Sequence, residues 1–166
     1  MSEWISKNIS DGIAEIRLLG KTMPPAFFDA FDEAIASLED REDVRVVVVA
    51  SEAKAFSYGL DLPAAFKTHG NLFVGGGLAG PRGKLLTLIR GWQRAFDRMQ
   101  RLKVPVITAI HGACIGGGLD LISAADIRLA TEDAYFSLRE AAIGIVADLG
   151  SLQRLPHIIG ESQTRL

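Results

Sequence analysis

The first third of the chain shows three different patterns of apolar and polar positions. The segment GIAEIRLLG, residues 12–20, alternates with a period of two, which predicts a strand with one buried face. The segment PPAFFDAFDEAIASLED, residues 24–40, has apolar side chains at helical spacing and prolines at its start, so it predicts an amphipathic helix. The segment VRVVVVAS, residues 44–51, is β-branched and nearly continuous, which favours a strand covered on both faces, as in a parallel sheet.

The later segments continue this succession of strands and helices. The passage THGNLFVGGGLAGPRG, residues 68–83, lacks periodicity and predicts a mobile surface loop. An apolar stripe in residues 85–102 predicts a long helix. We expect a strand in VPVITAI (104–110), a helix in GLDLISAADIRLA (118–130) and a short extended segment in AYFSLRE (134–140). Strands that alternate with covering helices predict an α/β architecture.

Composition limits the classes of partner. The 166 residues suffice for one domain, 1–166, and the net charge of -2 lacks the basic excess that nucleic-acid binding needs. The apolar runs are far shorter than the roughly 20 residues that span a bilayer, so we expect no membrane partner. His69 and His157 lack ligand spacing, so no metal site is predicted. Cys114 is the only cysteine and no secretory signal is visible, which favours a cytoplasmic location.

Three consecutive glycines, Gly116 to Gly118, stand between the strand predicted over 104–110 and an apolar helix. A chain that runs through glycine into a helix brings unpaired N–H groups to the positive end of the helix dipole, where they bind negative oxygen. The stretch HGACIGGGLDL matches neither nucleotide-binding glycine motif, which argues against a phosphate cradle. A tight turn or close helix packing explains the glycines equally well.

A second glycine bend favours a functional site over packing alone. The segment KAFSYGLDL also follows an apolar strand, and Gly59 allows the backbone to turn so that the Leu60 amide faces a cleft. Two such amides can hold one oxyanion. Each donor aimed at a developing negative charge lowers a reaction barrier by about 3 kcal/mol.

Three segments, AFSYGLDL, HGACIGGGLDLISAADIRLA and FSLREAAIGIVADLGSLQRLPHIIG, resemble the crotonase superfamily, the enoyl-CoA hydratase/isomerase family. The resemblance implies an α/β spiral of strand-strand-helix repeats that binds an acyl-CoA thioester. CoA then belongs to the substrate, and no separate cofactor is expected. The resemblance also implies that the amides of Leu60 and Gly117 form an oxyanion hole. It further implies that four residues lie along the bound thioester and its pantetheine arm: Ser57, Tyr58, Asp61 and Leu62.

Three carboxylates near these motifs are candidates for proton transfer: Asp120, Glu140 and Asp148. All three stand among apolar residues, and carboxyl groups in apolar surroundings are suited to acid or base work near neutrality. Each also has a structural explanation. Asp120 could favour its helix dipole, Glu140 could be an exposed acid at a strand end, and Asp148 could cap the following helix.

The residues at these three positions distinguish two reactions within the family that the chain resembles. Hydratases of the family usually carry glutamate where Asp120 stands and a small or apolar residue where Asp148 stands, whereas dienoyl-CoA isomerases carry the acids found here. The match implies conversion of a 3,5-dienoyl-CoA into the 2,4-dienoyl-CoA in fatty-acid β-oxidation. Asp148 would be the base, Glu140 the proton donor and Asp120 a polar support for Glu140. Two alternatives stay open: hydration of a 2-enoyl-CoA, and a non-catalytic acyl-CoA-binding or assembly subunit.

The chain is shorter than the proteins that it resembles. It ends at Leu166, whereas family members continue through helices that close the acyl pocket and help assemble the oligomer. The resemblance therefore implies that the C-terminal helical part of the fold is missing. A homotrimer or hexamer is expected where that part is present.

Overall fold

The computed structural model describes residues 2–74 and 79–165. Its strands are β1 (Ile5–Ser10), β2 (Ile13–Leu18), β3 (Val46–Ser51), β4 (Val106–Ile110), β5 (Ala113–Ile115), β6 (Ile127–Ala130) and β7 (Tyr135–Ser137). A five-stranded sheet has the order β1-β2-β3-β4-β6, in which β1 and β2 are antiparallel and all other neighbours are parallel. The strands β5 and β7 form a second, smaller parallel sheet.

The helices follow the strands in a regular succession. They are α1 (Pro25–Ala36), α2 (Leu62–Phe73), α3 (Ala79–Gln100), α4 (Gly117–Ser123) and α5 (Ser151–Thr164), with a 3₁₀ turn at Ala141–Ile143. Strand-strand-helix units recur as β1-β2-α1, β4-β5-α4 and β6-β7-α5, which confirms the predicted α/β spiral. Within the described ranges, no helix has both the length and the apolar character that a membrane span requires.

The four predicted strands are confirmed as β2, β3, β4 and β7, whereas β1 and β5 do not appear in the apolar pattern. The strand β1 pairs with β2 through a bend at Asp11 (φ 52) and Gly12 (φ 82). Positive φ at two adjacent residues is what a tight hairpin turn requires, and Asp-Gly is its strongest sequence signal. This pair is therefore the feature that predicts β1. The strand β5 has three residues, too few to show an alternation.

The hydrophobic core lies between the five-stranded sheet and the buried faces of α1 and α3. Both helices match the predicted apolar stripes. Phe28 stacks on Trp92 with ring centroids 4.8 Å apart, and Phe31 meets Phe96 edge-on at 6.0 Å. These aromatic contacts fix α3 against α1, and through α1 they fix α3 against the sheet.

The glycine-rich passage 68–83 is not the surface loop that its lack of periodicity predicts. Residues 68–73 belong to α2 and 79–83 to α3, while 75–78 lie outside the described residues. Asp61 explains where α2 begins, because its carboxylate accepts a hydrogen bond of 3.0 Å from the backbone N–H of the third helical residue. A side-chain cap and packing against α3 outweigh the poor helix propensity of glycine.

The helix predicted over 118–130 is wrong in its second half. The helix α4 ends at Ser123, and residues 127–130 form β6 beside β4. Two hydrogen bonds fix the change of direction: Asp126 N–H donates to the Val106 carbonyl at 3.0 Å, and Val106 N–H donates to the Asp126 carboxylate at 2.8 Å. A short apolar run is compatible with helix or strand, and here pairing with β4 decides.

We predict that Phe96→Ala lowers the free energy of unfolding by about 3–5 kcal/mol, because it removes a fully buried ring between α1 and α3. Leu86→Ala on the same helix is the matched control. Leu86 is 47% exposed, so this change should stay within about 0.5 kcal/mol. Urea denaturation of both variants measures the difference, and equal losses would contradict this account of the core.

Candidate active site

The two glycine motifs meet where their segments run side by side. Ser57, shortly after β3, pairs with Cys114 of β5 in a parallel bridge. Two main-chain hydrogen bonds of 3.0 and 2.9 Å hold this bridge. Because Gly59 and Gly117 each follow it closely, both glycine bends come to the same place.

The amides predicted to form the oxyanion hole are neighbours in space. A Cβ placed on Gly59 would lie 3.0 Å from the Gly117 nitrogen, and a Cβ placed on Gly117 would lie 3.6 Å from the Leu60 nitrogen. The other two glycines of the triplet have different tasks. Gly116 adopts φ 52, a conformation that favours glycine, and a Cβ on Gly118 would lie 2.8 Å from the Ser57 Cβ. Close packing and amide presentation thus both explain the triplet.

These two amides, unlike their neighbours, have no hydrogen-bond acceptor in the described part of the chain. The N–H groups of Gly59 and Asp61, on either side of Leu60, each donate a hydrogen bond of 3.0 Å to a protein oxygen. The N–H of Gly116 does so as well, at 3.0 Å. Among the hydrogen bonds of residues 2–74 and 79–165, none is donated by the Leu60 or the Gly117 amide. An unpaired N–H pair of this kind is suited to hold one negatively charged oxygen.

The carboxyl group of Glu140 lies against Gly116, the first glycine of the triplet. A Cβ on Gly116 would lie 2.8 Å from Glu140 Oε1. The other oxygen, Oε2, is buried and has no hydrogen-bond partner in the described part of the chain. Glu140 is therefore not the exposed strand-end acid of the structural alternative. A buried polar atom without a partner costs about 1–3 kcal/mol, so such atoms are rare in native proteins and each calls for a specific explanation.

Asp120 is buried in the first turn of α4, with 1% of its surface exposed. Its Oδ1 accepts hydrogen bonds from Ser151 N at 2.7 Å and Ser151 Oγ at 2.5 Å. Burial raises the pKa of Asp120 to about 6; the bonds from Ser151 oppose the shift, and the charges of Glu140 and Asp148 add to it. No hydrogen bond joins Asp120 to Glu140 among the described residues, so its role as support for Glu140 stays a prediction.

Asp148 stands in the segment that leads into α5. The N-cap of α5 is Gly150, so the explanation of Asp148 as a helix cap is wrong. Its side chain reaches solvent, yet partial desolvation raises its pKa above the ordinary value, and the charge of Glu140 adds to this effect. The structure thus brings the three predicted acids close enough for their charges to influence one another.

The residues predicted along the thioester fall into two groups. Ser57 and Asp61 hold the bend itself, since Ser57 Oγ accepts from the Gly59 N–H and Asp61 caps α2. Tyr58 is 46% exposed, and Leu62 is the first residue of α2. Contact of these four residues with a ligand stays a prediction.

Two residues of the site are absent from the sequence-based prediction. Ser151 holds the Asp120 carboxylate, and the Met23 Sδ would lie 3.4 Å from a Cβ on Gly117. Ser151 follows Gly150 at the start of α5, and a hydroxyl group is a common signal for the start of a helix. No sequence feature predicts the position of Met23, because only the fold brings this residue close to the glycines.

Comparison with known proteins identifies the class that this fold and site define. The family model described as enoyl-CoA hydratase/isomerase matches residues 8–165. The chain belongs to the enoyl-CoA hydratase/isomerase family, and the predicted resemblance is confirmed.

Individual relatives narrow the comparison. The chain is 43% identical, over 81% of its length and 48% of the relative's, to the peroxisomal Delta(3,5)-Delta(2,4)-dienoyl-CoA isomerase of Arabidopsis thaliana. It is 39% identical to the mitochondrial protein of the same name from Mus musculus, over 83% of the chain and 42% of the relative. A Thermobifida fusca YX structure in complex with CoA superposes with a TM-score of 0.81 at 26% identity, over 97% of this chain and 62% of that one.

The chain thus spans about half the length of the curated relatives that it matches. The names of these relatives refer to the peroxisome and the mitochondrion. They do not support the predicted cytoplasmic location, which stays a prediction.

We predict that alanine is tolerated much better at Gly117 than at Gly59. Gly59→Ala should lower the free energy of unfolding by about 2 kcal/mol or more, since Gly59 has φ +80 and the new Cβ would lie 2.8 Å from the Ile115 carbonyl oxygen. Gly117→Ala should cost less than about 1 kcal/mol, because its closest contact would be 3.4 Å. Gly91→Ala in α3 is the control, with open space around the new methyl group. Chemical denaturation ranks the variants, and equal losses at Gly59 and Gly117 would contradict the geometry.

We predict that the stability contribution of Asp120 decreases as the pH rises. The folded protein keeps the Asp120 proton up to about pH 6, whereas the unfolded chain loses it near 3.8, so the unfolding free energy falls across this interval. Asp120→Asn removes the titration. The unfolding free energy of the wild type minus that of the variant should therefore decrease by about 3 kcal/mol over this range. Urea denaturation at a series of pH values tests this, and a constant difference would refute the raised pKa.

Proposed function

We propose that this protein processes acyl-CoA thioesters and converts a 3,5-dienoyl-CoA into the 2,4-dienoyl-CoA. The observation that carries the proposal is the position of the Leu60 and Gly117 amides beside Gly116, against which the Glu140 carboxyl lies with its Oε2 buried. The charge of Glu140 in turn acts on Asp148. Relatives that carry the name of this isomerase support it. CoA enters as part of the substrate.

The amide pair would stabilise the negative charge that forms on the thioester oxygen. Removal of a proton from C2 of the substrate leaves a trienolate, whose charge rests largely on this oxygen. Two preorganised donors can each lower the barrier by about 3 kcal/mol, since they need no reorientation during the reaction. This makes C2 acidic enough for a carboxylate base.

In the proposed reaction, Asp148 takes the proton from C2 and Glu140 gives a proton to C6. The electron pair of the C2–H bond forms the C2–C3 double bond, the C3–C4 double bond moves to C4–C5, and the C5–C6 pair takes up the new proton. One proton leaves and one is added, so substrate and product are isomers. A base whose pKa is raised towards neutrality, as partial desolvation does for Asp148, suits this transfer.

The family description also includes hydratases, so addition of water to a 2-enoyl-CoA is the alternative reaction. The aspartate at position 148 favours isomerisation, because the resemblance associates an acid there with dienoyl-CoA isomerases. Assembly as a homotrimer or hexamer, and the expected lack of nucleic-acid and metal partners, stay predictions.

We predict that Asp148→Asn slows dienoyl isomerisation by about 10²–10⁴-fold, because the amide cannot accept the C2 proton. Binding of the CoA thioester should be unchanged, since the carboxylate acts on the acyl chain rather than on CoA. Ultraviolet absorbance of the conjugated product measures turnover, and calorimetry measures binding. Asp29→Asn, on the exposed side of α1, is the matched control and should keep wild-type turnover.

The same assay with a 2-enoyl thioester separates the alternatives. Wild-type hydration without isomerisation would replace the proposed reaction with the hydratase reaction. Binding without either reaction would support the non-catalytic subunit. Full isomerase activity in Asp148→Asn would exclude this residue as the base.

A further inference from the structure

A polar contact from α3 holds the peptide group of Asp148. Gln93, half-buried on α3, donates a hydrogen bond from Nε2 to the Asp148 carbonyl oxygen at 2.5 Å. The contact joins residues far apart in the sequence and belongs to none of the glycine or acid motifs. It reaches the backbone of the candidate base, so it leaves the Asp148 carboxylate free.

The next carbonyl is tied to the same helix through Arg154. The Arg154 guanidinium donates to the Leu149 carbonyl at 3.2 Å, and it is itself held by Asp97 at 2.5 Å and Gln100 at 2.9 Å, both on α3. Its side chain is 11% exposed. A Cβ on Gly150 would lie 1.9 Å from Arg154 Nη1, so the guanidinium rests directly on this glycine.

The segment is anchored a third time by α4, through the bonds from Ser151 to the Asp120 carboxylate. By contrast, residues 141–146 just before it are exposed. Asp148 therefore stands at the boundary between an exposed stretch and an anchored one. Of the three anchors, only that of Gln93 acts on the peptide group of Asp148 itself.

We infer that Gln93 is a positioning residue for Asp148, which keeps the carboxylate at the correct distance from C2 of the substrate. The inference rests on the proposed function. Proton transfer depends steeply on geometry, and a displacement of about 1 Å can cost as much as about 100-fold in rate. The residue makes no contact with the substrate in this role.

The test compares Gln93→Met, which keeps the shape and removes the donor, with Gln93→Lys, which restores a donor. We expect Gln93→Met to lower kcat by about tenfold or more and to leave KM within about twofold, since thioester binding does not involve this contact. Gln93→Lys should recover kcat to within about threefold of wild type. Gln153→Met is the matched control: Gln153 is exposed on α5, and its side chain makes no hydrogen bond among the described residues.

Several outcomes would overturn the inference. A Gln93→Met protein with wild-type kcat, or a Gln93→Lys protein as slow as Gln93→Met, would show that the donor does not position the base. A lower melting temperature with unchanged kcat would show a purely structural role.

Exchange of the substrate C2 protons with D₂O reports the Asp148 step alone. If the wild type exchanges these protons without isomerising the diene, the proposed function fails, and the effect of Gln93→Met on exchange still decides the inference. If the wild type neither exchanges these protons nor isomerises the diene, the proposed function and the inference about Gln93 are both wrong.

Discussion

The candidate site depends on the main-chain bridge between Ser57 and Cys114. Each glycine motif contributes one amide, and the bridge brings the Leu60 and Gly117 amides side by side. The bridge links a segment after β3 to β5, and β3 is in turn paired in register with β4. The register of the central sheet therefore determines the distance between the Leu60 and Gly117 nitrogens. Stability of the sheet and the placement of the two amides therefore rest on the same hydrogen bonds.

The three acids come from different elements and play unequal parts. Asp120 is buried and satisfied by Ser151, Glu140 has a buried oxygen without a partner, and Asp148 reaches solvent. Burial raises the pKa of both Asp120 and Asp148, and the negative charge of Glu140 adds to the shift in each case. The hydrogen bonds of Asp120 also fix the start of α5, so one carboxylate links the electrostatics of the site to the packing of the last helix.

The local pattern of apolar and polar residues predicts the elements that depend on local contacts. It fails where contacts with residues distant in the sequence determine the secondary structure. The periodic segments of β2 and α1 were predictable, and Asp11-Gly12 contains the signal for β1. Residues 127–130 become a strand only because β4 offers an edge, and the glycines of 68–83 enter helices because capping and packing outweigh propensity. In the site, Leu60, Gly117 and the acids follow from motifs. Met23 and Gln93 do not follow from motifs, because only the tertiary structure brings their side chains to the site.

The glycine triplet limits which substitutions this sequence can accept during evolution. Its three members look equivalent in the sequence, but they are constrained for separate reasons. Gly116 is constrained by its backbone angle and the Glu140 carboxyl beside it, and Gly118 by its contact with Ser57. Gly117 has room for a methyl group and is constrained only by its place beside the Leu60 amide. No single compensating change elsewhere can relax all three constraints. The triplet should therefore persist as a unit in descendants that keep the chemistry, and it should erode first at Gly117 in descendants that keep only the fold.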